Sequence, residues 1–168
     1  TVISTVPVPV TLLTDANHVI PASPSQFNGG FQRVVDYTPI TLPRSGVVTF
    51  KVTSTPNVRQ AVQNIPRADP YVRKVWLNGV ERLLNPTCND FGSNPSICET
   101  SFEATAGGSL DFQVLGPGVW NTFGEFVGTP EVTYTLVVSF VSTDHTLPVV
   151  AVTSPALGAN QALNTAMT

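Results

Sequence analysis

The stretch VTYTLVVSFV, Val132 to Val141, decides the fold class. Val132, Tyr134, Leu136, Val138 and Phe140 fall on one side of an extended chain, and Thr133, Thr135 and Ser139 on the other. That period of two marks a strand with one buried face. Val47 to Thr53 repeats it, with Val48, Phe50 and Val52 opposite Thr49, Lys51 and Thr53. Ser109 to Leu115 does so again, setting Leu110, Phe112 and Val114 against Asp111 and Gln113. Further strands are expected at Phe31 to Tyr37, Phe102 to Thr105 and Leu147 to Thr153.

Turn chemistry divides these runs. Asn78-Gly79 stands between YVRKVWL (Tyr71 to Leu77) and VERLL (Val80 to Leu84), and a type I′ turn needs the two positive φ angles that Asn-Gly tolerates. A two-residue hairpin is predicted there. Gly107-Gly108 is read as a second tight hairpin, and Arg44-Ser45-Gly46 as a turn into the Val47 strand. One short helix is predicted, with Thr55 as N-cap, Pro56 at the first helical position, Val58, Ala61, Val62 and Ile65 on one face, and Pro66 ending it. Many short strands, Pro/Gly-rich connections and one minor helix predict an all-β fold: a single jelly-roll-like barrel or sandwich of antiparallel strands.

The domain plan has three parts. Residues 1–12, which contain Val6-Pro7-Val8-Pro9-Val10, read as an N-terminal arm or edge strand, because alternating prolines cannot donate a full ladder of hydrogen bonds. Residues 13–153 form the barrel. Residues 154–168, small and polar with no core residues, read as a tail. Thr1 to Val10 lacks a basic n-region and is not read as a signal peptide. The longest apolar runs fall far short of the ~20 residues of a membrane-spanning helix.

Composition limits the function. In 168 residues the charged fraction is 11%, with Lys51 and Lys74 the only lysines and a net charge of −3. That is less than half the usual ~25% charged. A surface so poor in charge fits one covered by partners, and the basic footprint of a nucleic-acid binder is missing. His18, in Asp15-Ala16-Asn17-His18, and His145, after Asp144, are read as loop or strand-end residues, since no framed nucleophile accompanies them. No transition-metal spacing occurs, and Cys88-Asn89-Asp90 reads as an Asx-turn rather than a calcium site. No catalytic residue, cofactor or metal is expected, and the chain is not read as an enzyme.

Cys88 and Cys98, the only cysteines, flank a turn-rich stretch. A disulfide between them is the favoured reading; two free thiols, or a bond between two chains, stay open. Trp76 is expected as a core anchor in its hairpin. Trp120, in the Gly/Pro-bounded GPGVWNTFG segment with Phe123, is balanced between the core and an exposed ring that stacks on a sugar or enters a neighbouring subunit.

Three function classes compete: a structural assembly protein, a secreted carbohydrate-binding or adhesion β-sandwich, and, weakest, an enzyme. The chain resembles a known family through VPVPVTLLTDAN (Val6 to Asn17), YVRKVWLNGVERLL (Tyr71 to Leu84) and VTYTLVVSF (Val132 to Phe140). That family is the smaller of the two major capsid proteins of tailless icosahedral bacteriophages, which carry an internal membrane and infect thermophilic bacteria. The resemblance rests on size, strand content and overall character. It implies a single jelly roll upright on a virion surface, associating with itself and with a second capsid protein over the internal membrane, without direct nucleic-acid contact. A thermophilic host would also reconcile a Cys88–Cys98 bond with assembly inside a cell. The expected interface residues are Val6, Pro7, Val8, Pro9, Val10, Trp120 and Phe123, together with the tail. An extracellular location goes with the sugar-binding alternative.

Overall fold

A computed structural model describes residues 7–21, 34–54, 70–89, 95–116, 119–120, 126–128 and 131–143. The strands are β1 (Val10–Ile20), β2 (Val34–Asp36), β3 (Ile40–Leu42), β4 (Gly46–Ser54), β5 (Tyr71–Leu77), β6 (Val80–Leu83), β7 (Thr87–Cys88), β8 (Ser96–Ala104), β9 (Gly108–Leu115), β10 (Val119–Trp120), β11 (Phe126–Gly128) and β12 (Val132–Ser142). The all-β class read from the sequence is the observed one. The helix expected from Thr55 to Pro66 and the strand expected from Leu147 lie outside the described residues.

Two antiparallel sheets face each other. Sheet one runs β1-β12-β4-β8-β7; sheet two runs β9-β5-β6, with β2 and β3 pairing end to end along the free edge of β9. Counting β2 and β3 as one interrupted strand and setting aside β7 and the β10–β11 ribbon, the chain visits the sheets as one, two, one, two, two, one, two, one. This is the wrapped path of a jelly roll, in which successive strands cross between the sheets and, among the strands so counted in the described residues, only β5 and β6 form a hairpin within one.

The core follows from alternation. Val48, Phe50 and Val52 of β4 and Leu136, Val138 and Phe140 of β12 face Val72, Val75, Leu110, Phe112 and Val114 of sheet two, and all are buried. The Phe50 and Phe112 rings meet across the gap with centroids 5.0 Å apart. The space between the sheets is therefore filled largely by hydrocarbon.

The Asn78-Gly79 hairpin forms as predicted, with φ of 51° and 79°. Asn78 also ties this turn to the start of β9: its Oδ1 accepts from the Ser109 amide at 3.0 Å, and its Nδ2 donates to the Gly107 carbonyl at 3.2 Å. The hairpin expected at Gly107-Gly108 is not one. β8 belongs to sheet one and β9 to sheet two, so the turn carries the chain across the sandwich. Gly108 has φ of 138°, and a Cβ there would run into the Asn78 side chain.

His18, read as a loop or strand-end residue, lies in β1 two residues before its end, paired with Tyr134. One further reading changes. Trp76 is not a core anchor. A bulge between Val72 and Lys74 shifts the alternation by one residue, so that Val72 and Val75 point inward while Lys74 and Trp76 are half-exposed on the outer face.

Candidate functional site

The N-terminal lead into β1 is the most exposed apolar feature described. Val8 is 78% and Val10 58% exposed. Pro7, Val8 and Val10 line a groove of about 250 Å³ together with Pro43, Arg44 and Phe140. Val10 already belongs to β1, opposite Phe140, so residues 10–12, within the segment read on sequence as an arm or edge strand, begin the edge strand of sheet one. Pro7 and Pro9 have no amide hydrogen, which limits how far a ladder can extend toward the N-terminus. Among the described residues β1 has one ladder partner, β12, so its other edge is a place where a further extended segment could add backbone hydrogen bonds.

Farther along β1 lies a polar cluster that the sequence reading did not assemble. Between Asp15 and His18 the strand gains one residue on its partner: Asp15 opposes Leu136 and His18 opposes Tyr134. Asn17, at φ of 57°, takes up the extra residue. The bulge puts Asp15 and His18 on the same, inward side, where strict alternation would have separated them. The His18 Nδ1 lies 2.8 Å from Asp15 Oδ2, and the Tyr37 hydroxyl, from the link between β2 and β3, donates to the same oxygen at 2.7 Å. With its proton committed to Asp15, Tyr37 accepts from the Tyr134 hydroxyl at 2.6 Å. An ionised Asp15 fixes the proton of a neutral His18 on Nδ1.

The cluster stitches the β1 edge of sheet one to the β2/β3 edge of sheet two. The His18 ring stacks on Tyr134 at 5.1 Å, and Tyr37 stacks on Phe112 at 5.0 Å. Burial pushes the Tyr134 hydroxyl up to about 12, its hydrogen bond with Tyr37 opposing and the Asp15 charge reinforcing the shift. Burial, followed by the hydrogen bonds to Tyr134 and Asp15, holds the Tyr37 hydroxyl protonated far above its ordinary range. Both phenols are donors at any physiological pH. The inward row continues from Tyr134 to Ser54 and Ser96, whose buried hydroxyls have no partner among the described residues.

Cys88 and Cys98 are register partners on β7 and β8, joined within one chain. Asn89 closes the loop base: its Oδ1 accepts from the Ile97 amide at 3.0 Å, and its Nδ2 donates to the Pro95 carbonyl at 3.0 Å. Trp120 sits in β10, with its backbone paired to Phe126 in β11. Val6, Phe123, His145, Asp90, Asp144 and residues 154–168 lie outside the described residues.

The outer face of sheet two carries Trp76 between Asp111 and Glu81, with Lys74 in an ion pair to Glu81 at 3.4 Å and the Gln113 amide donating to Asp36 at 2.7 Å. Beside them a depression of about 440 Å³ is lined by Val34, Leu83, Leu115, Arg73, Lys74 and Gln113. No group of three or more His, Cys, Asp or Glu residues among those described is arranged to hold a metal ion. No family model, curated protein or solved structure matches the chain.

Proposed function

We propose that the chain is a structural building block: a jelly-roll capsid subunit that associates with itself and with a second capsid protein to tile an icosahedral shell. The observation that carries this reading is the wrapped strand order around a filled apolar interior, with a proline-bearing apolar lead entering β1, the edge strand of sheet one among the described residues. A filled sandwich supplies a rigid tile, and the exposed Val8 and Val10 supply a joint. Low charge over much of the surface fits contact with neighbours on several sides. In this reading the chain performs no reaction, resides in the virion and meets nucleic acid only through other components. The internal membrane of such a particle is a further candidate contact of the shell.

Deletion of residues 1–9 tests the joint, because it leaves every residue of β1 in place. The truncated chain is expected to keep its far-ultraviolet spectrum and cooperative melting while self-association weakens. Unchanged association would remove the arm from the account.

The outer face of sheet two favours one second reading, a sugar-binding module. A half-exposed Trp76 flanked by carboxylates offers a ring to stack on a sugar and acceptors for its hydroxyls. Glycan-array binding by a chain that stays monomeric would favour it, and that binding should be lost in Trp76→Ala.

A further inference from the structure

The two outer faces differ in a way that the jelly roll alone does not require. Sheet two exposes Asp36, Arg73, Lys74, Glu81 and Asp111 across its strands. The broader face of sheet one carries only Lys51, Glu99 and Glu103 among the described outward positions of β4, β8 and β12. The rest is hydroxyl and β-branched hydrocarbon. One row across four strands reads Thr11, Ser139, Thr49 and Ser101, with the last two hydroxyls 2.8 Å apart. Another pairs Thr135 with Thr53, and between these rows lie Val137, Lys51 and Glu99. Depletion of charge with retention of hydrogen-bonding groups characterises the centre of a protein contact.

We propose that this face is a two-fold interface between copies of the chain. The inference rests on the self-association proposed above and names the surface that carries it. Three features select a second copy as the occupant. Hydroxyls both donate and accept, so a Ser/Thr face complements itself. Lys51 and Glu99 are direct cross-strand neighbours, and no ion pair joins them within the chain or occupies either with another described residue. A two-fold axis running along the strands between β4 and β8 lays Lys51 of each copy over Glu99 of the other, forming two reciprocal pairs.

The size is also right. Strand spacing and rise give a plane of about 20 Å by 30 Å, on the order of 600 Å². Side-chain relief brings its accessible surface near the ~800 Å² per partner of a standard contact. Two such faces can stack as aligned sheets.

Charge reversal tests the arrangement on the full-length chain, with dimer dissociation followed by sedimentation velocity. K51E and E99K each set like charges against each other across the axis and are expected to weaken the dimer by about tenfold, the scale of one desolvated charge pair. The double variant K51E/E99K re-creates both pairs in reverse and is expected to return to within about threefold of the parent. Both positions are exposed, and thermal melting checks that every variant is folded. Equal association of all four proteins would overturn the interface while leaving self-association through the arm intact. A double variant no stronger than the singles would also overturn it. A parent chain that is monomeric throughout would overturn the interface and the structural reading together.

Discussion

Replacing Tyr37 by Phe removes one oxygen atom and breaks two hydrogen bonds, the 2.7 Å bond to Asp15 and the 2.6 Å bond from Tyr134. The larger loss falls on Tyr134, which is 1% exposed and whose hydroxyl then has no described acceptor. A buried polar group stripped of its partner costs about 1–3 kcal/mol. Asp15 suffers less, since its side chain is 29% exposed and it keeps His18. Tyr37→Phe should therefore destabilise the fold by about 2 kcal/mol, or about 4–8 °C in melting temperature for a chain of this length. The sharper expectation concerns the double variant Tyr37→Phe/Tyr134→Phe. Removing the orphaned hydroxyl as well removes its desolvation cost, so the double variant should be more stable than Tyr37→Phe and within about 1 kcal/mol of the parent. Urea unfolding monitored by circular dichroism measures all four corners of the cycle. Additive losses, with the double variant the least stable, would refute the claim that the two hydroxyls form one chain of donation to Asp15.

Alkaline pH should act on the same cluster. Unfolded tyrosines ionise near pH 10, whereas folded Tyr134 keeps its proton to about 12 and Tyr37 beyond its ordinary range. The folded state then binds more protons, so stability is full below about pH 10 and falls above it by up to about 1.4 kcal/mol per pH unit for each group. Denaturant titrations from neutral to alkaline pH, with tyrosinate absorbance recorded in parallel, check both the slope and its cause. The Cys88–Cys98 bond spans a sequence separation of 10, and closing so short a loop contributes about 2.5–3 kcal/mol in the chain-entropy account. Cys88→Ser/Cys98→Ser should lower the melting temperature accordingly without changing the oligomeric state, because the bond lies within one chain. Gly108→Ala places a side chain at positive φ against Asn78 and should cost about 1–3 kcal/mol in thermal unfolding.

The elements legible in the sequence were those whose alternation is uninterrupted and whose inward residues are hydrocarbon. β4 from Val47 to Thr53 meets both conditions, β12 does so apart from the Tyr134 hydroxyl, and β5 and β6 were framed by Asn78-Gly79. β8 meets only the first. Its inward residues are Ser96, Cys98, Thr100, Phe102 and Ala104, so only the end near Phe102 was expected. β1 meets neither condition, because bulges after Thr11 and after Asp15 break the period twice. The second bulge also builds the Asp15–His18 pair. Alternation places residues three apart on opposite faces, and nothing in Asp-Ala-Asn-His announces that Asn17 takes a left-handed conformation.

The bulge at Arg73 misled in the opposite direction and sent Trp76 outward. Tyr37 and Tyr134 meet only because sheet two folds over sheet one, a separation of 97 residues that local pattern does not span. Gly107-Gly108 carried a correct turn signal. Whether such a turn stays in its sheet or crosses the sandwich depends on which strand comes next to which, and that is a tertiary property.

Self-association is the central claim, and sedimentation velocity of the full-length chain over a wide concentration range, with and without reductant, tests it most directly. The account predicts a dimer or larger species that grows with concentration, survives reductant and weakens in Val8→Asp and in Val10→Asp. A monomer at every concentration would contradict it.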